Sequence, residues 1–249
     1  MAEDRVTYPP LDVLKPVAEG VWIVDSGPLR AAGMPLPVRM TVIRLGDGGM
    51  WLHSPTRHVE ALRRSIEGLG PIRHLVAPSV AHWSFVKDWQ LNCPDAVTWA
   101  VPNLRRRRQV RKAELRLDRD LSEASPPEWA GEIDQVVVPG GAGFREVDFF
   151  HRSSRTLVLT DLVLNLEPEK VPAFMRPLGT LLGIRAPNGK AALYLRLIIL
   201  ARRRDAAQAA SRMVAWGPER VIFTHGAWFE RDGTAALRRS LSWLLPKSG

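Results

Sequence analysis

A single cysteine among 249 residues, Cys93, leaves no possibility of a disulfide framework and fits a reducing compartment. It sits in Trp-Gln-Leu-Asn-Cys-Pro, which reads as a helix end, where a small buried filler is its expected role. Long apolar runs are missing too. The longest, from Leu193 to Ala201, is interrupted by Arg196 and falls far short of the ~20 residues needed to cross a bilayer, so no membrane span is expected. The opening stretch MAEDRVTYPP lacks the basic-then-apolar order of a secretory leader, and a cytoplasmic location is the expectation. Familiar nucleophile and phosphate motifs are absent: there is no G-x-S-x-G, no G-x-x-x-x-G-K and no C-x-x-C. No fixed-period repeat marks a solenoid.

What is present is a basic, moderately apolar chain. A hydrophobic share of 45% is enough to bury a sizeable core without staples, and residues 1–249 read as one large domain, with 1–19 as an N-terminal extension. The net charge of +9 is concentrated in Arg105-Arg106-Arg107-Arg108 with Arg111-Lys112, and again in Arg202-Arg203-Arg204. Such clusters attract phosphate-rich partners or simply solvate a surface. No aromatic residues interleave the first cluster to stack on bases, so nucleic acid is not the expected partner. A small-molecule substrate or ligand is.

The order of elements is readable from periodicity. GVWIVDS, RMTVIRL and GMWLHSP alternate and are separated by turn residues, which predicts an antiparallel meander. HVEALRRSIEGLG carries Val59, Leu62, Ile66 and Leu69 on one helical face and ends at Gly68 and Gly70. A strand IRHLVAP, a helix HWSFVKDWQL and a strand AVTWAVP make a βαβ unit. Residues from Leu104 to Ser125 are highly charged and read as an exposed loop or loosely packed helix. A second meander follows in DQVVVPGG, EVDFFHR and RTLVLTD. Residues 166–192, punctuated by Pro and Gly, read as short helices forming a lid. Two helices, the buried strand ERVIFTHG and a terminal helix complete the chain. Two meanders, each followed by helices and further strands, predict two mixed sheets face to face with helices outside.

Three strand ends carry chemistry. Pro78-Ser79-Val80-Ala81-His82-Trp83 follows IRHLVA, Thr160-Asp161-Leu162 follows RTLVL, and Thr224-His225-Gly226 follows VIF. Open α/β sheets build their sites at the C-terminal tips of strands. Two imidazoles and a carboxylate suffice for one divalent zinc or iron with open positions, which makes His82, Asp161 and His225 the candidate metal ligands and candidate catalytic residues. Without an ion, the same groups can serve as acid/base residues or bind a polar ligand, or the pocket can be vestigial.

That order of elements and tips resembles the metallo-β-lactamase fold, an αβ/βα four-layer sandwich, over about Gly20 to Leu245. In that superfamily one strand ends in T-H-x-H-x-D-H, a later one in a G-D whose aspartate bridges metals, and a last one in G-H or H-G. The runs MTVIRLGDGGMWLHSP, GPIRHLVAPSVAHW, GEIDQVVVPG, EVDFFHRSSRTLVLTDLVLNL and ERVIFTHG are similar to an uncharacterised, domain-of-unknown-function branch of it. The resemblance sets Pro78 and Val80 where the first two histidines belong, His82 at the aspartate and Trp83 at the last histidine. It sets Gly140-Gly141-Ala142-Gly143 where a mid-chain histidine belongs, Asp161 at the bridging aspartate and His225 at the final histidine. It therefore implies a degenerate, at most mononuclear site and a hydrolase-like protein of unknown substrate, an ester-like or phosphorylated small molecule. The alternative is a non-catalytic binding or scaffold protein that reuses the pocket.

Four further residues are candidates for the substrate pocket. His53 ends a strand before Ser54-Pro55 turns the chain away; Asn165 follows Asp161 closely and can orient a ligand or close a turn. Trp83 and Trp228 each flank a candidate ligand and can narrow the pocket or stack on a planar group. His58, His74 and His151 read as structural, His58 and His74 at the surface. Glu146 and Asp148 alternate with Val147 and Phe149, so both carboxylates share one face of their strand, toward the cleft or toward solvent.

Overall fold

The computed structural model describes residues 6–31, 34–173 and 176–246. Its first sheet is built in chain order from seven strands: β1 (Lys15–Ala18), β2 (Val21–Ala31), β3 (Met34–Arg44), β4 (Met50–His53), β5 (Ile72–Ala77), β6 (Val97–Ala100) and β7 (Arg119–Asp120). Strands β1 to β4 pair antiparallel, β2 to β4 as alternation predicts. From β4 onward pairing is parallel, because α1 (Glu60–Glu67) and α2 (Val86–Asn92) carry the chain back between strands. Helix α1 turns Leu62 and Ile66 inward, while Glu60, Arg63 and Glu67 form ion pairs on its outer face. Residues 15–18, expected within an N-terminal extension, are the sheet's edge strand. The Leu104–Ser125 segment, expected as loop or loose helix, supplies a short helix α3 (Arg108–Lys112) and β7, whose Arg119 and Asp120 pair with Trp99 and Ala100.

The second sheet runs in the order β12-β10-β9-β8, formed by β8 (Ile133–Pro139), β9 (Arg145–His151), β10 (Thr156–Val158) and β12 (Arg220–Ile222). The meander β8-β9-β10 is antiparallel and β12 joins it in parallel. A separate two-residue pairing links β11 (Leu164–Asn165) to β13 (His225–Gly226). Helices α4 (Arg176–Leu182), α5 (Leu193–Leu200), α6 (Arg203–Ala215) and α7 (Gly233–Ser240) follow in the second half.

Two apolar cores set the layers. In the first, Val42, Trp51 and Leu75 of the first sheet pack with Val137, Val147 and Phe149 of the second, joining the sheets face to face. In the second, Val138 and Phe150 pack against Leu195, Ala210 and Leu237 of α5, α6 and α7. With α1 and α2 on the far side of the first sheet, the result is the expected αβ/βα four-layer sandwich. Strand β9 alternates between them: Val147 and Phe149 face the sheets' shared core, and Phe150 faces the helices. Described residues of 166–192 pack on a third, small cluster of Leu36, Leu164, Leu166, Ile184 and Ala192. Among the described residues, no helix is long and apolar enough to cross a membrane.

Candidate metal centre

The three chemical strand tips meet, and each is held by contacts made inside the fold. After β5, the loop of residues 78–85 is pulled toward the second sheet, because the Val147 amide donates to the Pro78 carbonyl at 2.8 Å and Ser79 pairs with Glu146. After β10, three successive N–H groups converge on the buried Glu146 carboxylate: Thr160 at 2.8 Å, Asp161 at 3.2 Å and Leu162 at 3.2 Å. That cradle fixes the Asp161 turn. After β12, the buried Arg39 donates to the carbonyls of Phe223 at 3.0 Å and Gly226 at 2.8 Å, while its guanidinium pairs with Asp25 at 2.7 Å. A strand of the first sheet thus grips the turn that carries His225.

His82 Nε2 lies 3.1 Å from Asp161 Oδ2, and His225 Nε2 lies 3.3 Å from Asp161 Oδ1. One donor atom from each of the three residues falls within 4.8 Å of the others. The outer nitrogens are engaged as well: His225 Nδ1 is 2.7 Å from the Pro37 carbonyl, and His82 Nδ1 is 2.8 Å from Ser54 Oγ. A carbonyl only accepts, so His225 Nδ1 carries the hydrogen and a neutral His225 presents a bare lone pair at Nε2. Lone pairs and a carboxylate facing one another need a positive charge between or upon them. Burial disfavours charge on His82, but the Asp161 carboxylate outweighs it and raises the imidazole above its ordinary value. Burial likewise opposes charge on Asp161, yet the two imidazoles hold its carboxyl far below the usual range.

The group opens on a cavity of about 150 Å³ whose wall includes Ser54, Thr56, Trp83, Tyr194 and Thr224. Of the four residues that the sequence offers for a substrate pocket, Trp83 lines this cavity. The other three pocket candidates do not line this cavity. His53 is 1% exposed and stacks on Trp51 with ring centroids 5.6 Å apart, inside the core; burial and then the nearby His82 push its pKa down to about 3. Asn165 donates to the Ala227 carbonyl at 2.7 Å and accepts from the Gly189 amide at 3.1 Å, so its amide ties three distant segments together. Trp228 is half-buried and packs between the two main cores. His74, expected at the surface, is buried in β5, where Trp99 Nε1 donates to it at 3.1 Å. His58 is half-buried and edge-on to Trp89.

Glu146 and Asp148 face neither cleft water nor bulk solvent; both are fully buried. Burial, then the Asp161 charge, raises Glu146, while burial, then Glu146, pushes Asp148 well up. Among the described residues no N–H group reaches either Asp148 oxygen, which leaves burial and the Glu146 charge unopposed in favouring its neutral acid form. Alternation along EVDFFH marks the pair in the sequence, but not its partners, which arrive from a different turn. Arg39 and Ser54 escaped the sequence reading. Arg39 has a signal, as a lone charge within an otherwise buried strand; Ser54 has none beyond its place after His53.

The model of the DUF4336 family, a domain of unknown function, matches residues 20–190. The chain belongs to that family. The DUF4336 match includes His82 and Asp161, and His225 lies beyond it. Among solved structures, the DIM-1 metallo-β-lactamase exposed to ceftazidime superposes with a TM-score of 0.63 at 19% identity, covering 92% of this chain and 94% of that one. A metallo-β-lactamase from Hirschia baltica gives 0.60 at 15% identity over 94% and 98%. The FIM-1 enzyme from Pseudomonas aeruginosa, in its mono-zinc form, gives 0.56 at 15% identity over 94% and 96%. At these identities the likeness is one of fold: this DUF4336 chain has the metallo-β-lactamase architecture. No curated protein matches it.

Proposed function

We propose that the chain is a hydrolase-like protein of the metallo-β-lactamase type that acts on a small ester-like or phosphorylated compound through a site holding at most one zinc or iron ion. The observation that carries this reading is the convergence of one ring nitrogen each of His82 and His225 and an Asp161 oxygen within 4.8 Å of one another. The donor set fits such an ion: each imidazole has its Nδ1 engaged by a neighbour, which orients the ring and leaves Nε2 toward the shared point. When bound, a divalent ion there would supply Lewis acidity to a polarised carbonyl or phosphoryl oxygen. The chain's own residues do the positioning. Pro37 and Ser54 fix the two rings, Glu146 aims Asp161, and Trp83 narrows the mouth and excludes water. In this reading residues 1–249 act as one unit, with 166–192 as a lid; Leu36, shared by the cavity wall and the small cluster under that segment, supports the contact.

A second reading, a metal-free pocket that binds a polar ligand, is favoured by one observation. His82 pairs with Asp161 at 3.1 Å, and that carboxylate raises the imidazole so that a proton on Nε2 satisfies the pair without an ion. Metal content separates the two. Protein purified without chelator should carry about one equivalent of zinc or iron by mass spectrometry, and His225→Ala or Asp161→Ala should lose it while keeping a native circular dichroism spectrum. Wild-type protein free of metal, and unable to take it up, would leave only the binding reading.

A further inference from the structure

A second cavity abuts the metal centre. It measures about 590 Å³ and shares Ala81, Asp161 and Tyr194 with the first, so the two adjoin at Asp161. The disparity in size decides what each can hold. A cavity of about 150 Å³ takes a few water molecules or one small functional group, at ~30 Å³ per water. A small-molecule site ordinarily offers roughly 300–1,000 Å³. A substrate whose reacting bond lies at the triad needs room beyond the first cavity, and the larger space adjoins it at Asp161.

That space is basic. Arg106 and Arg107 line it, whereas Arg105, their neighbour in the same cluster, is paired with Asp120 at 2.7 Å. Among the described residues neither Arg106 nor Arg107 has a carboxylate within ion-pair distance. Arg107 Nη1 donates to the Val80 carbonyl at 3.2 Å, which tethers the side chain at the cavity rim and leaves most of its five N–H donors free. The one acid on the wall, Asp161, has an oxygen turned to each imidazole, which offsets its repulsion of an incoming anion. Gly141, Ala142 and Gly143 form the facing wall without bulk, and Leu195 and Ile198 supply apolar area.

We infer that Arg106 and Arg107 form a phosphate subsite, so that the substrate is a small phosphorylated compound whose non-reacting phosphate anchors here while its scissile bond reaches the triad. Two guanidinium groups match a dianion in charge, and their planar donor forks match its oxygens in geometry. The assignment of the reacting end rests on the hydrolase reading; the subsite itself does not.

Equilibrium dialysis of the full-length, metal-stripped chain against radiolabelled inorganic phosphate, at fixed ionic strength, tests it. Wild-type protein should bind saturably with one site. The double variant R106Q/R107Q should bind at least tenfold more weakly, R105Q should stay within twofold of wild type, and R106K/R107K should fall between. The two arginines are exposed, and an unchanged unfolding midpoint checks that the variants stay folded. Absence of saturable binding, or equal binding by R106Q/R107Q, overturns the subsite whatever the metal content. A metal-free protein that binds phosphate through these arginines sinks the hydrolase and leaves the subsite standing.

Discussion

At the scale of single residues, the centre is governed by which histidines can carry a proton. His53 cannot do so cheaply, because it lies in the core with its Nε2 unpartnered and its pKa pushed down to about 3 by burial and then by His82. The unfolded chain takes up a proton at that residue as pH falls through about 6.5, whereas the folded chain does not until about 3. Stability contributed by neutral His53 is thus complete above 6.5 and declines through that window, with a slope of up to about 1.4 kcal/mol per pH unit. His53→Phe keeps an aromatic ring against Trp51 and Phe149 and should flatten the slope. Urea titrations between pH 6.5 and 5 should show wild type losing roughly 2 kcal/mol more than the variant. Equal losses would mean that His53 titrates normally.

At the scale of elements, the shortest pairing matters most to the site. Strands β11 and β13 are two residues each, yet they join Leu164 to His225 and Asn165 to Gly226, across the chain's second half. Gly226 sits at φ +102°, and a Cβ there would lie 2.3 Å from the Asn165 carbonyl oxygen. Backbone has to move to admit it. Gly226→Ala should therefore destabilise the chain by on the order of 3 kcal/mol. It should also displace His225 from Asp161, read as lost metal binding in the same preparation. A variant with wild-type melting and wild-type metal content would show that the turn is not under this constraint.

The same elements mark how far the sequence could be read. Strands such as IRHLVA and RTLVL announce themselves by buried runs, and their ends carry the donors, so the triad and the layering were legible. A two-residue strand has no periodicity to detect. Asn165 reads as an amide that orients a ligand or closes a turn because its partners, Ala227 and Gly189, lie 62 and 24 residues away. His74 reads as a surface residue preceding a strand, but it lies within a central parallel strand that is buried on both faces, and of that strand only Arg73 is exposed. Edge strands β1 and β7 hid for the opposite reason: both are polar or punctuated by proline, and pairing rather than composition makes them strands.

At the scale of the whole molecule, the proposed donors straddle the two sheets: His82 follows a strand of the first, and Asp161 and His225 follow strands of the second. An ion bound to all three would cross-link the layers and exist only in the folded state. Zinc at 100 times its dissociation constant should then stabilise the fold by about 2.7 kcal/mol, raising the melting temperature by roughly 5–10 °C. Asp161→Ala should melt at the same temperature with and without zinc. A wild-type melting point indifferent to zinc, manganese and ferrous iron would contradict a shared ion.

The Glu146 cradle has a further implication. A carboxylate that grips three consecutive amides sets the bend of the backbone before anything arrives from solution, and it would do so equally well in a descendant that had lost both imidazoles. The bend that carries Asp161 is therefore separable in this chain from the side chains gathered around it: the interior moulds the turn, and the candidate donors could be exchanged one at a time without disturbing the mould.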